Sequence, residues 1–143
     1  MIDVMNFHIP DRSGIQYRQP ATVAEAVKIL AENKGRAAIM GGGTDLMIDL
    51  RSGEFKGDLL VDVTGIAELQ GIREENGRVV IGAGVTIEEL RQSPIVKDKL
   101  PALAAAADKF AGLQIRNRGT IGGNVGHAAP CGDTHPPSIL YDG

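Results

Sequence analysis

The sequence predicts an α+β fold of two lobes, a small βαβ lobe over residues 1–63 and a second lobe with antiparallel strands over 64–143. Three observations carry this reading. Apolar runs at 37–40 and 59–63 flank a glycine run and a short amphipathic stretch, the pattern of a parallel βαβ unit. Asn76-Gly77 lies between two strand-like runs, the strongest short hairpin signal. Two Thr-x-x-Glu capping boxes, at Thr22 and Thr86, announce helices.

The elements follow in order. Residues 1–20 read as irregular, punctuated by Pro10, Gly14 and Pro20, with His8 as a surface residue. From Thr22, apolar Val23, Ala26, Val27, Leu30 and Ala31 recur at helical spacing, so a helix is expected over 22–33, ended by Asn33 and Gly35. Ala37–Met40 reads as a buried strand, Gly41-Gly42-Gly43-Thr44-Asp45 as a loop and 44–51 as a short helix. Leu59–Val63 is a second buried strand. After Thr64 come a hairpin about Asn76-Gly77, a helix near 86–92 and an Ala-rich helix from Pro101 to about Phe110. The stretch 112–132 is glycine-rich without periodicity, and Pro136-Pro137 begins one more helical turn.

Composition excludes several functions. Fifteen basic against 18 acidic residues give a formal charge of −3, which argues against a nucleic-acid binder. Aromatics are 3% with no Trp, so a base-stacking platform is not expected. One cysteine, Cys131, rules out an internal disulfide framework and fits a reducing compartment. No apolar run approaches the length of a membrane span and no signal peptide is evident, so a cytoplasmic protein is expected.

Glycine stands out, at 19 of 143 residues against an average of about 7%. Three are consecutive at 41–43, between a strand and a helix start, where backbone N–H groups and the helix dipole suit an anion. A second segment, Thr120-Ile121-Gly122-Gly123-Asn124, has the same ingredients. Two such loops suggest a ligand with two phosphates, whereas a single loop reads equally well as a tight turn. No P-loop motif is present, and Leu46 stands where G-x-G-x-x-G needs a small residue. Asp62 could serve as a ribose-binding acid in a nicotinamide-nucleotide fold, but that reading leaves the second loop unexplained.

Gly41-Gly42-Gly43-Thr44-Asp45-Leu46 and Thr120-Ile121-Gly122-Gly123-Asn124 resemble the two pyrophosphate motifs of the molybdenum hydroxylase flavoproteins. These are the FAD-binding medium subunits or domains of xanthine dehydrogenase, aerobic carbon monoxide dehydrogenase and nicotinate dehydrogenase. The resemblance runs from Tyr17-Arg18-Gln19-Pro20 through Lys109–Arg118 to Ala128–Asp133. It implies FAD extended between the two lobes. It places Ile39, Met40, Gly41, Gly42, Gly43, Thr44, Asp45 and Leu46 around the pyrophosphate and Phe110 beside the flavin nucleotide. Thr120, Ile121, Gly122, Gly123 and Asn124 complete the cradle, and Asp133 accepts hydrogen bonds from the cofactor.

The resemblance also implies an electron-transfer role inside a complex. A molybdopterin-containing large subunit hydroxylates the substrate, a 2Fe–2S small subunit relays electrons, and FAD passes them to NAD or another acceptor. No catalytic acid or base is expected on this chain. Family members run to about twice this length, so the second lobe is expected to be incomplete at its C-terminus. An open sheet edge and an uncovered apolar face would follow, covered by a partner chain or by self-association. The alternative reading is a truncated assembly module that keeps the fold but binds flavin weakly or not at all.

Three side chains remain. His127, Cys131 and His135 are spaced by four, but Pro130 interrupts them and no fourth ligand is obvious, so no metal is expected. Cys131 reads as a small buried residue. Arg116 and Arg118 are candidates to neutralise pyrophosphate or a partner's acidic surface, or to face solvent as a pair.

Overall fold

The computed structural model describes residues 14–143. His8 and the rest of 1–13 lie outside the described residues.

Three parallel strands open the fold. β1 (Gln16–Arg18) and β2 (Ala37–Met40) both pair with β3 (Leu59–Asp62), in the order β1-β3-β2. β3 is buried along its whole length because it lies between the other two. β1 is a correction to the irregular segment expected over 1–20. It has three exposed residues and no apolar alternation, so only its pairing with β3 defines it. β2 corrects the expectation of a buried strand. It is an edge strand, and Ile39 is 57% exposed.

α1 (Val23–Glu32) starts where Thr22 accepts the Glu25 N–H at 3.2 Å. Glu25 reaches back to the Ala21 N–H at 2.9 Å rather than to that of Thr22, one residue off the expected box. α1 lays Ala26 against Leu59, Val61 and Ile66, with Val23, Ile29 and Leu30 around them. α2 (Leu46–Ser52) begins two residues later than expected and ends at Gly53, in the left-handed conformation at φ +79. The connection β2–α2–β3 is the anticipated parallel βαβ unit.

A second cluster follows. β4 (Ile72–Glu75) and β5 (Arg78–Ile81) pair antiparallel around Asn76 at φ +52 and Gly77 at φ +77, the signature of a type I′ turn. α3 (Ile87–Gln92) carries an intact capping box, with Thr86 bonded to the Glu89 N–H and Glu89 to the Thr86 N–H. α4 (Pro94–Lys99) was not anticipated. Ser93 closes α3 and also caps α4 by accepting the Val96 N–H, with Pro94 at its first position. α5 (Pro101–Lys109) matches its expected bounds to one residue. Val85, Ile87, Leu90, Val96, Leu103 and Ala107 form the core between these helices and the hairpin.

The stretch 112–132, expected to be irregular, contains α6 (Leu113–Arg116) and α7 (Ile121–His127). α8 (His135–Leu140) is the expected last turn, tied to α5 by the Tyr141 hydroxyl, which accepts the Ala102 N–H at 3.1 Å. Cys131 is exposed, contrary to expectation. Among the described residues, no helix is long and apolar enough to cross a membrane.

Buried Glu88 locks this part together. It accepts from Arg91 at 2.6 Å, Gln92 at 2.7 Å and Arg116 at 2.9 Å. Arg116 also donates to the carbonyls of Phe110 and Ala111 at 3.0 and 2.9 Å. Arg116 is thus neither a phosphate ligand nor a solvated side chain. It fastens the 110–116 segment to α3.

Two predictions follow. Hydrogen bonds from Arg91, then Gln92 and Arg116, pull the Glu88 carboxyl from its ordinary 4.5 to about 2. Its pKa is lower in the fold, so its contribution is complete above about pH 4.5 and is lost as pH falls through about 2. Glu88→Gln should therefore melt below the wild type at neutral pH, with the gap narrowing in acid; a gap independent of pH refutes the assignment. Ile87, with 0% exposure, sits in the middle of the second core, so Ile87→Ala should cost about 2–5 kcal/mol in denaturant unfolding.

Candidate functional site

The two glycine segments meet. Gly42 passes so close to the backbone of 118–119 that a Cβ there would overlap the Arg118 carbonyl. Only glycine allows that approach. Arg118 adds a long hydrogen bond of 3.4 Å from its guanidinium to the Gly42 carbonyl. Gly43 turns the chain with φ +74 into the start of α2.

This turn leaves donors unused. The backbone N–H groups of Gly42, Gly43, Thr44, Asp45 and Leu46 meet no acceptor among the described residues. Asp45 occupies the N-cap position of α2 but makes no cap bond. Its carboxylate instead accepts weakly from the Thr44 hydroxyl at 3.3 Å. Five consecutive bare donors at a helix start are an anion-binding concavity in waiting.

The second segment differs from what its sequence suggests. Residues 121–124 are the first turn of α7 rather than a loop, and their N–H groups are occupied within the chain. Ile121 donates to the Val85 carbonyl and Gly122 to that of Ala83, both at 2.9 Å. Gly123 donates to the Thr120 hydroxyl and Asn124 to the Thr120 carbonyl, both at 3.0 Å. Gly122 is required because a Cβ would come within 2.6 Å of the Ala83 oxygen. Asn124 Oδ1 accepts from the Thr134 hydroxyl at 2.6 Å, leaving its amide nitrogen without an acceptor among the described residues.

The crossing forms the floor of a cleft of about 680 Å³, within the range of small-molecule and cofactor sites. One wall is apolar: Val23, Ala26, Val27 and Leu30 of α1 with Ala37 and Ile39 of β2. Val27 is 59% exposed, so a large apolar surface lies bare on this wall. The floor and far wall are polar or glycine-rich: 41–46, Gly119, Thr120, Gly122, Gly123 and Asn124, with Phe110 beside them. An apolar wall facing a row of free N–H donors fits a ligand with planar rings joined through a diphosphate, and so fits FAD.

Of the residues singled out from sequence, Ile39, Gly41, Gly42, Gly43, Thr44, Asp45, Leu46, Phe110, Thr120, Gly122, Gly123 and Asn124 line this cleft. Met40 and Ile121 do not: Met40 follows Ile39 in β2 and so takes the other face of the strand, and Ile121 packs on the second core. Asp133 lies outside it and is exposed, and its neighbour Thr134 is the residue bonded to Asn124. The α1 wall, whose apolar spacing predicts a helix, also lines the cleft. The sequence reading missed Ala83 and Gly84, Asp49, Gly126 and His127. Gly82-Ala83-Gly84, between a strand and a capping box, was the signal available for the first two.

Asp62 is 7% exposed and accepts from the Tyr17 hydroxyl and from the N–H and hydroxyl of Thr64. Burial raises its pKa, but the hydrogen bonds from Thr64 and Tyr17 outweigh that and the net shift is downward. It clamps β1 to β3 and does not line the cleft. Among the described residues no group of three or more His, Cys, Asp or Glu is placed to hold a metal. His135 is turned onto the Gly132 carbonyl at 3.1 Å. A second, smaller pocket of about 410 Å³ adjoins the cleft, shares Gly42, Thr64, Gly84 and Thr120 with it, and adds Arg118.

Comparison with known proteins agrees with this geometry. The chain is 43% identical over 128 residues to the carbon monoxide dehydrogenase medium chain of Hydrogenophaga pseudoflava, covering 90% of this chain and 44% of that one. It is 40% identical over 127 residues to a xanthine dehydrogenase FAD-binding subunit of Escherichia coli O157:H7, covering 88% and 43%. The solved carbon monoxide dehydrogenase of Hydrogenophaga pseudoflava superposes with a TM-score of 0.80 at 41% identity, over 85% of this chain and 42% of that one. The chain therefore spans less than half the length of these relatives. The model of the FAD-binding domain in molybdopterin dehydrogenases matches residues 13–143, and the chain belongs to that family.

Proposed function

We propose that this chain is the FAD-holding part of an electron-transfer subunit in a molybdenum hydroxylase complex. In such a complex electrons run from iron–sulfur clusters by way of FAD to NAD or another acceptor. The observation that carries the reading is the row of N–H groups from Gly42 to Leu46 with no partner among the described residues, opening into a cleft with a bare apolar wall.

FAD supplies the redox chemistry when bound. The residues of this chain hold and orient it. The N–H groups of 42–46 and the Asn124 amide nitrogen would donate to the diphosphate. Val27, Ile39 and Leu30 would cover ring surface and exclude water, with Phe110 close to the flavin nucleotide. Two units, 1–63 and 64–143, would flank the cofactor. The relatives are a dehydrogenase medium chain and a dehydrogenase FAD-binding subunit. Partners of the same kind, a molybdopterin-containing large subunit and a 2Fe–2S small subunit, are proposed here. Asp133, Met40 and Ile121 lie outside the cleft lining and are given no cofactor contact.

One observation favours a second reading, an assembly module with weak flavin affinity. The N–H groups of α7's first turn are all occupied within the chain, so half of the expected cradle offers no free backbone donor.

FAD titration separates the two. Under the first reading the purified protein, alone or in its complex, absorbs near about 450 nm or takes up added FAD. A colourless protein that takes up none supports the second. Gly126 lines the cleft, and a Cβ there meets nothing within 4 Å. Gly126→Leu should keep the melting temperature while weakening FAD binding by about tenfold or more, that is ~1.4 kcal/mol. Unchanged affinity would remove the cofactor from this cleft.

A further inference from the structure

The cleft has an unusual charge inventory for a diphosphate site. Among the described residues, its ionisable lining residues are Asp45, Asp49 and His127, with no lysine or arginine. Arg118 lines the adjoining pocket instead and points to the Gly42 carbonyl. A dianionic ligand therefore meets backbone dipoles, two carboxylates and one imidazole.

His127 closes the last turn of α7, and Asp49 lies in the first turns of α2. Their side chains meet at the cleft lining, with Nδ1 of His127 at 4.0 Å from Oδ2 of Asp49. Asp45 is the other carboxylate on the α2 side. From α8, His135 is committed to backbone carbonyls, its Nδ1 to Gly132 at 3.1 Å and its Nε2 to Val125 at 3.5 Å. Among the described residues His127 is thus the one imidazole that lines the cleft, and imidazole is the side-chain type that gains charge between about pH 5 and 8.

We propose that His127 is a further cofactor-binding residue, which takes up a proton as the diphosphate enters and offsets the carboxylates of Asp45 and Asp49. This rests on the FAD reading above. The proton does here what a lysine or arginine does in other phosphate sites, but it makes affinity depend on pH. The sign follows from linkage: a group protonated more in the bound state gives binding that is tightest in mild acid and weakens as pH rises. The diphosphate diester itself keeps two charges across this range, so the ligand does not supply the dependence.

The test is calorimetric titration of FAD into flavin-free protein, alone or in its complex, in two buffers of different ionisation enthalpy. The wild type should take up a measurable fraction of one proton. Its dissociation constant should rise about threefold or more between about pH 6 and pH 8, within the tenfold-per-unit ceiling of a single linked proton. His127→Gln should abolish both effects and bind weakly throughout. His127→Lys should bind at about pH 8 as tightly as the wild type does at about pH 6, with a flat profile. FAD binding by the wild type with no proton uptake, or an unchanged pH slope in His127→Gln, overturns the proposal. Failure to bind FAD at any pH overturns the underlying reading instead. The wild-type proton count needs no variant and stands if a substitution unfolds.

Discussion

The structure depends on one steric constraint, the passage of the Gly42 backbone against the peptide of Arg118 and Gly119. Everything that makes the cleft is placed by this crossing. On one side, the chain leaves β2, turns at Gly43 and enters α2 with its first donors bare. On the other, it leaves α6, pairs Thr120 with Thr86 and enters α7. A side chain at position 42 would push the two strands of backbone apart and open the floor.

The crossing is held from below by Glu88. Its carboxylate gathers Arg91, Gln92 and Arg116, and Arg116 in turn binds the carbonyls of Phe110 and Ala111. Phe110 and Arg118 are thereby fixed relative to α3, which itself begins at the capping box of Thr86. A charged cluster that never touches the cleft sets the position of its floor. The two halves of the glycine cradle are consequently not equivalent. In α7 each early N–H is bonded to 83–85 or to Thr120, whereas the N–H groups of 42–46 meet no acceptor among the described residues.

Much of this was legible in the sequence where a local rule decides the outcome. The caps at Thr22 and Thr86, the Asn76-Gly77 turn and Pro101 act within four residues, and each appears where expected. The glycine run at 41–43 was legible because close approach leaves few substitutes. β1 was not legible, since Gln16–Arg18 becomes a strand only by pairing with β3 more than forty residues away. α4 hid because one residue, Ser93, serves two helices. α7 was read as a loop because three of its seven positions, counting only Gly122, Gly123 and Gly126, disfavour helix. Tertiary bonds to 83 and 85 overrule that propensity. The spacing of Asp133 gave no hint that Thr134, not Asp133, is the residue bonded to the cradle. The α1 wall was not legible as a binding surface, because an amphipathic stripe looks alike whether core or ligand covers it.

That stripe has a consequence for the life of the protein in a cell. Val27 and Ile39 lie bare on the cleft wall. Any occupant that covers them favours the folded state by mass action, in proportion to the logarithm of its free concentration over its dissociation constant. Chaperones and proteases act on the unfolded fraction, so steady-state abundance of the polypeptide would track supply of its small-molecule occupant. Starvation for that molecule would then appear as a shortage of polypeptide before it appeared as an inactive pool.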